Sequence, residues 1–293
     1  MKILKRLLIF SLLFLHVFVM PINANQNSLT IQYSHNQQNI QGINVETYYI
    51  ADYVNNTYKL TETFKDYSID LSNISSQSEY REIATTFASY IIADGLVADY
   101  MGVTNELGQV TYYNLNPGLY LTLSNEVQNG NQVIQFETFL TVVPNITDSF
   151  TVKPKYTSYE IEDIEKEYKV IKQWKDKNHI SERVENVDVD IYKNKELYQS
   201  IQLNADNNWT YTWKYQDDGS EWNIVERSID KNYDVSIYKD KQVFILTNTY
   251  PDDGDNTPST GDTSNIVFYM VAMSICGLLL ILLALLLRKK DHD

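Results

Sequence analysis

The chain is poor in the residues that most metal sites and hydrolase sites need. Its single cysteine, Cys276, lies inside an apolar run near the C-terminus, so no disulfide can form in the rest of the chain. Of its four histidines, only His35 and His179 lie between the two terminal apolar segments, and they are far apart in sequence. These are too few ligands for a zinc site and too few partners for a Ser-His-Asp triad, so we expect no metal and no cofactor.

The sequence also lacks a Gly-x-Gly-x-x-Gly fingerprint and a phosphate-binding loop. Its formal net charge of −14 would repel phosphates, which argues against a nucleic acid partner. The chain has 23 tyrosines, an abundance that is common in strand-rich surface proteins. We therefore expect a protein that is not an enzyme. A surface enzyme with paired carboxylates remains an alternative from another class.

The two ends of the chain carry apolar segments with different lengths and flanks. At the N-terminus, three basic residues precede the run Leu7–Met20, and the small residue Ala24 suits cleavage, so residues 1–24 are predicted to be a signal peptide. At the C-terminus, the run Ile266–Leu287 has 22 residues without a charge, enough to span roughly 30 Å of hydrocarbon as a helix. The basic tail 288–293 is expected to stay cytoplasmic.

A polar segment, 251–265, precedes the apolar run and contains Thr257-Pro258-Ser259-Thr260-Gly261. A Pro-x-Thr-Gly element, an apolar span and a short basic tail, in that order, resemble the sorting signal of Gram-positive wall-anchored proteins. The pattern of that signal is Leu-Pro-x-Thr-Gly, and Thr257 stands in place of the leucine. The resemblance implies that a sortase cuts between Thr260 and Gly261. It would then join Thr260 to an amine of peptidoglycan or of a pilus subunit. A single-pass membrane anchor is the simpler alternative.

The remaining chain divides into two strand-rich blocks, 25–155 and 168–250, separated by an acidic stretch, 156–167, which we interpret as a linker. Alternating apolar and polar residues predict strands in the first block at Leu29–Tyr33, Ile43–Ile50, Gln109–Tyr113, Leu119–Leu123, Val133–Val143 and Phe150–Val152. In the second block they predict short strands near 187–191, 197–203, 209–213, 222–226 and 242–249, with a hairpin turn at Asn194 between the first two. We therefore expect a mainly β fold with two immunoglobulin-like sandwiches in series.

One amphipathic helix is predicted inside the first block. Ser76 and Glu79 have the spacing of a capping box, and apolar residues then recur at three- and four-residue steps. Gly95 can end this helix in a left-handed conformation. The pattern predicts a helix near 78–94.

The first block contains the string Gly108-x-Val110-x-Tyr112-x-Asn114-Leu115-x-Pro117-Gly118-x-Tyr120 and ends on Val152-Lys153-Pro154-Lys155. These motifs resemble the N-terminal domains of Gram-positive pilins. In backbone pilins a lysine at the matching place attacks the sortase-bound threonine of a neighbour. The resemblance therefore makes Lys155 a candidate acceptor, although Lys153 replaces the family's tyrosine. The alternative is an ordinary solvated lysine.

The second block resembles the collagen-adhesin B-type (Cna-B) domain. The resemblance rests on Val170-x-Lys172-x-Trp174-x-Asp176, Leu203-Asn204-x-x-Asn207-Asn208-Trp209-Thr210-Tyr211-Thr212, Val225-Glu226-Arg227 and Leu246-Thr247-Asn248-Thr249-Tyr250. It implies that Lys172 on the first strand bonds to Asn248 on the last strand with the help of Glu226. Burial would lower the pKa of Lys172 and raise that of Glu226, which favours a neutral, nucleophilic amine. The alternative is a solvated Lys172 that never reacts.

Together these patterns predict an exported protein that is anchored to the cell wall and has a structural role. A pilus subunit or a stalk with an internal Lys172–Asn248 cross-link fits them best. Its expected partners are a sortase, peptidoglycan or pilus subunits, and the membrane through the C-terminal helix before processing. An adhesin that binds a host extracellular ligand through the first block is the main alternative.

Overall fold

The structure, a computed structural model, describes residues 27–251 except 56, 73, 145–148, 178, 228, 230 and 231. The predicted signal peptide 1–24, the motif Thr257–Gly261 and the apolar run 266–287 lie outside these residues. Within the described part, no helix is both long and apolar enough to cross a membrane. The described residues belong to one compact unit.

The first block builds three sheets and a small hairpin. Its strands are β1 (Asn27–Gln32), β2 (Ser34–His35), β3 (Gln38–Asn39), β4 (Asn44–Val54), β5 (Thr57–Leu60), β6 (Tyr100–Val103), β7 (Gln109–Leu115), β8 (Gly118–Ser124), β9 (Val127–Asn129), β10 (Gln132–Phe136), β11 (Phe139–Val143), β12 (Ser149–Val152) and β13 (Tyr156–Glu160). The sheets have the orders β12-β1-β7, β13-β10-β9 and β11-β8-β4-β5, with β6 also pairing with β4, and β2 pairs with β3.

The described part of the chain contains one α-helix, α1 (Gln77–Asp94), close to its predicted position. Ser76 accepts a hydrogen bond from the Glu79 N–H, and the Glu79 side chain bonds back to the backbone of Ser76, which confirms the predicted capping box. Gly95 ends the helix with φ of 61°, a left-handed conformation that glycine adopts without strain. The side chains Ala84, Phe87 and Ile91 are buried on one face.

The second block is a sandwich of two sheets that enclose a buried cluster of apolar side chains. Its strands are β14 (Glu165–Lys175), β15 (Asn186–Lys193), β16 (Glu196–Asn204), β17 (Thr210–Gln216), β18 (Trp222–Glu226), β19 (Asp234–Asp240) and β20 (Val243–Thr249). One sheet has the order β17-β14-β20-β19 and the other the order β16-β15-β18. A 3-10 turn, Ile180–Glu182, follows β14. Asn194 and Lys195 have positive φ in the two-residue turn between β15 and β16, where a hairpin was predicted.

The structure differs from the predicted strands in several places. The run Val133–Val143 was predicted as one strand, but it forms two, because polar Glu137 and Thr138 separate β10 from β11 and the chain changes sheets there. The strand β19, which the sequence analysis missed, lies at the edge of its sheet beside β20. The segment interpreted as a linker contains β13, which pairs with β10, and Glu165 already begins β14.

Apolar side chains form three buried clusters. One fills the first block around Leu29, Ile31 and Tyr120, and another fills the sandwich of the second block. The third surrounds α1 and includes Tyr192 and Val225 from the second block. The two blocks therefore share part of their core.

Two glycines with similar backbone conformations provide a test of this packing. Gly108 has φ of 70°, and a Cβ added there would lie 2.4 Å from the Tyr33 carbonyl oxygen, whereas Gly130 has φ of 62° with no described atom within 4 Å of an added Cβ. Gly130→Ala should lower the free energy of unfolding by about 1 kcal/mol, because alanine is strained in the left-handed conformation. Gly108→Ala should lower the free energy of unfolding by about 1–3 kcal/mol more than Gly130→Ala does, because the backbone at Tyr33 must move to make room for the new methyl group. Urea unfolding of residues 25–260 would measure both, and equal costs would contradict the close approach.

Candidate functional site

Lys172, Glu226 and Asn248 converge inside the second block from three different strands. β14 and β20 run parallel as neighbours, with Lys172 opposite Leu246, so Asn248, two residues further along β20, projects from the same face. Glu226 comes from β18 in the facing sheet. Lys172 Nζ lies 3.4 Å from Glu226 Oε2, and Asn248 Nδ2 donates a hydrogen bond of 2.9 Å to Glu226 Oε1.

The three side chains are almost completely shielded from water. Lys172 is 5% exposed, and Glu226 and Asn248 are each 1% exposed. The Trp174 ring covers the amine, with its centroid 4.4 Å from Lys172 Nζ, and Trp209 packs edge-on against Trp174. Both tryptophans belong to the motifs of the second block quoted above.

Burial shifts the pKa values of the lysine and the glutamate in opposite directions. Loss of hydration lowers the pKa of Lys172 from 10.5 to about 8, although the nearby Glu226 carboxylate opposes the shift. Loss of hydration also raises the pKa of Glu226, against the opposing charge of Lys172. Both shifts favour the neutral amine and the neutral carboxylic acid, the forms in which a lysine attacks and an acid donates a proton.

Several polar atoms at this site have no hydrogen bond. Lys172 Nζ, Glu226 Oε2 and Asn248 Oδ1 are buried, and none has a hydrogen-bond partner among the described residues. Buried polar atoms are nearly always satisfied in folded proteins, since leaving one unpaired costs about 1–3 kcal/mol. Two of these atoms, Lys172 Nζ and Glu226 Oε2, face each other at 3.4 Å as a buried ion pair.

A second cluster, which the sequence analysis did not identify, closes the site at the end of β14. Asp176 is 4% exposed and accepts bonds of 2.5 and 2.7 Å from Nε and Nη2 of Arg183. The guanidinium lies 5.5 Å from the centroid of the Trp174 ring, and the Tyr233 hydroxyl is 3.4 Å from Asp176. This arrangement holds the turn after β14 against the tryptophan that covers Lys172. The only sequence signal was Asp176, which was quoted in the motif without a role.

The other predicted site residue, Lys155, lies between β12 and β13 at the surface. Its Nζ is 3.4 Å from Gln77 Oε1, and Lys153 is also exposed. Lys155 belongs to the first block, and its Nζ contacts Gln77 rather than the buried cluster. Within the described residues, no group of three or more His, Cys, Asp or Glu side chains could hold a metal ion. The predicted sorting residues Thr257, Pro258, Ser259, Thr260 and Gly261 lie outside the described part.

Residues 168–249 match the family model of the Cna protein B-type domain. This segment is therefore similar to a domain of that type, and Lys172, Glu226 and Asn248 all lie within the matched residues. No curated protein matches the chain.

Several solved structures resemble the chain weakly over most of its length. A single B repeat unit of the collagen-binding surface protein Cna of Staphylococcus aureus is 16% identical, covers 78% of this chain and 97% of its own, and has a TM-score of 0.28. A streptococcal ancillary pilin is 8% identical, with 78% and 63% coverage and a TM-score of 0.29. The shaft pilin spaA from Lactobacillus rhamnosus GG is 12% identical, with 78% and 98% coverage and a TM-score of 0.26. Similarities this low identify neither a common fold nor a common function for the whole chain.

The Asp176–Arg183 contact predicts a pH-dependent contribution to stability. Hydrogen bonds from Arg183 lower the pKa of Asp176 below its usual 3.8. Its stabilising contribution is therefore present above that value and is lost as the pH falls through the lower folded value. Asp176→Asn should lower the free energy of unfolding of residues 25–260 at pH 7. The difference in this free energy between the variant and the wild type should become smaller towards pH 2.

Urea unfolding at several pH values would measure that deficit. Asp206→Asn, at an exposed turn position, is the matched control and should change stability little at any pH. A deficit of Asp176→Asn that stays constant from pH 7 to strongly acidic pH would contradict an ionic role for this carboxylate.

Proposed function

We propose that this chain is a structural protein of a Gram-positive cell surface, a pilus subunit or a stalk, whose second block is strengthened by a Lys172–Asn248 isopeptide bond. The observation that carries the proposal is the buried cluster of Lys172, Glu226 and Asn248 within the residues that match the Cna protein B-type domain. The names of the similar structures, a collagen-binding surface protein and two pilins, agree with a role at the cell surface.

The proposed reaction joins two side chains and releases one molecule of ammonia. The neutral Nζ of Lys172 attacks Cγ of Asn248 and gives up a proton, while Glu226, which contacts both partners, moves a proton to the departing amide nitrogen. A new C–N bond forms at Asn248 Cγ, and the old one breaks as ammonia leaves. Because the fold already holds the reacting groups together, the step needs no encounter between free molecules.

The bond would connect the first strand of the sandwich to its last strand. β14 and β20 are adjacent and parallel, so a load that enters at one end of the block and leaves at the other would pass through the covalent link. The link closes a loop of about 76 residues, which by the chain-entropy model stabilises the fold by roughly 4 kcal/mol. The Lys172–Asn248 link would therefore stabilise the second block covalently, as a disulfide would in other exported proteins.

The reaction predicts a mass change that can be measured directly. Residues 25–260 should weigh about 17 Da less than their sequence mass, because one ammonia is lost. Glu226→Ala and Asn248→Ala should each restore the full mass, and Asn248→Ala should also lower the melting temperature. Glu196→Ala, at an exposed position on β16, is the control and should keep the reduced mass. An unreduced wild-type mass would contradict the proposed bond.

Attachment to the wall predicts a second set of products. The C-terminal peptide of wall-released protein should end at Thr260. If the chain forms a pilus, Lys155→Ala should abolish the ladders of covalently linked subunits. Lys153→Ala, at the neighbouring exposed lysine, should leave these ladders in place. Denaturing gels of wall extracts and peptide mapping measure both. Recovery of residues 266–287 in the mature surface form would contradict sorting. Ladders that persist in Lys155→Ala would exclude it as the acceptor, and a single wall-linked species in the wild type would indicate a stalk.

A further inference from the structure

The helix of the first block packs directly behind the strand that carries Glu226. The Tyr90 hydroxyl of α1 donates a buried hydrogen bond of 3.4 Å to the backbone carbonyl of Glu226. Val225, the preceding residue, joins the buried cluster around the helix, and so does Tyr192 from the neighbouring strand β15. One face of β18 therefore lines the reactive cluster through Glu226, while its other face is held by the first block.

The residue after Glu226 fixes the C-terminal end of the same helix. Arg227 donates a hydrogen bond of 2.8 Å to Asp94 and one of 3.3 Å to the Ala93 carbonyl. Its Nε also binds Asp190 of β15 at 2.7 Å. A cation is favourable at this end of a helix, where the backbone carbonyls are exposed. Arg227 thus ties the last turn of α1 to the sheet that supplies Glu226.

The helix and the segment before it also hold the opposite sheet. The Ile237 N–H of β19 donates a buried hydrogen bond of 2.8 Å to Thr86 Oγ1, and the Val235 N–H donates one of 2.7 Å to the Ser68 carbonyl. Val235 is the cross-strand partner of Asn248. Residues of the first block therefore accept hydrogen bonds from two backbone N–H groups on the outer edge of β19, the strand next to Asn248.

These contacts span the two sheets of the sandwich. β18 belongs to the sheet that supplies Glu226, and β19 belongs to the sheet that supplies Lys172 and Asn248. α1 contacts both strands at once. The distance between the sheets at the cluster sets the separation of Glu226 from its two partners. A misplacement of about 1 Å can slow a positioned reaction by about 100-fold.

We propose that α1 is a positioning element for the cross-link, and that Tyr90 and Thr86 are the positioning residues through which docking of the first block sets the reactive geometry of the second. This inference rests on the proposed function. It implies an order of events: the first block folds and docks, and only then does the bond form at its full rate. Completion of the bond would thus report that both blocks are correctly assembled.

The test measures the rate of ammonia loss in residues 25–260, which contain the whole compact unit described. The chain is pulse-labelled in cell-free translation and quenched in acid at intervals, and intact mass gives the fraction that has lost about 17 Da. Tyr90→Phe removes only the hydroxyl that binds the Glu226 carbonyl. Thr86→Val removes the acceptor of the Ile237 N–H together with the hydrogen bond that Thr86 Oγ1 donates to the Glu82 carbonyl, and Thr85→Val, which loses the matching bond to the Arg81 carbonyl, controls for the second loss. Each should slow the reaction about threefold to tenfold, the effect of one hydrogen bond.

Matched variants separate positioning from general folding. Thr86→Ser keeps the hydroxyl and should rescue the rate, and Thr85→Val and Tyr80→Phe, on the same helix, should react like the wild type. The same substitutions made together with Asn248→Ala cannot cross-link, so their melting curves show whether the fold is intact at the assay temperature. Folded Tyr90→Phe and Thr86→Val variants with a slower reaction support the proposal, as does rescue by Thr86→Ser.

Three outcomes count against the proposal in different ways. If the wild type loses ammonia and Tyr90→Phe and Thr86→Val lose it equally fast, the helix does not position the cluster, and the proposed function stands. If the wild type never loses ammonia, the proposed bond and this inference both fail. If Thr86→Ser is as slow as Thr86→Val, the effect belongs to packing and not to the hydrogen bond.

Discussion

The structure depends on a lysine amine held without water beside a carboxyl group and an amide. The charged form of Lys172 is unfavourable there, because burial removes the hydration that stabilises an ammonium. A buried ion pair with Glu226 compensates only in part, since the two groups are 3.4 Å apart and Lys172 Nζ has no hydrogen-bond partner among the described residues. Formation of an amide would remove the charged lysine altogether. The free energy that burial of the amine costs in the unreacted fold would therefore favour the proposed reaction.

Much of the surrounding architecture serves to keep that cluster dry and aligned. Trp174 covers the amine, and the Asp176–Arg183 pair holds the following turn over the tryptophan. On the other side, α1 of the first block braces the strands that carry Glu226 and flank Asn248. The two blocks consequently form one compact unit and share a buried cluster. The helix of the first block therefore makes direct hydrogen bonds to two strands around the buried cluster of the second block.

The local parts of this arrangement could be predicted from the sequence. The capping box of Ser76 and Glu79, the end of the helix at Gly95 and the hairpin at Asn194 depend on neighbouring residues, and each appears in the structure. The convergence of Lys172, Glu226 and Asn248 was inferred by resemblance, because spacing alone does not show that strands 22 or more residues apart meet. The first and last strands of a sandwich become neighbours only through its topology.

The contacts between the blocks could not be predicted in the same way. Thr86 and Ser68 look like ordinary polar residues, and their role depends on the edge of β19, a strand that the sequence analysis missed. Val225 reads as a normal strand residue, although it packs against the helix of the other block. Arg183 lies in an irregular turn where no periodicity points to Asp176. Each of these features depends on long-range packing, which leaves no pattern in a single stretch of sequence.

The most direct test of the central claim is tandem mass spectrometry of residues 25–260 after digestion with trypsin. Trypsin cuts after a lysine with a free amine and does not cut after one that carries an amide. The proposed bond predicts a branched peptide in which Lys172 remains uncleaved and is joined through Nζ to Asn248. Cleavage after Lys172, together with a linear peptide that contains an unmodified Asn248, would show that the buried cluster does not react.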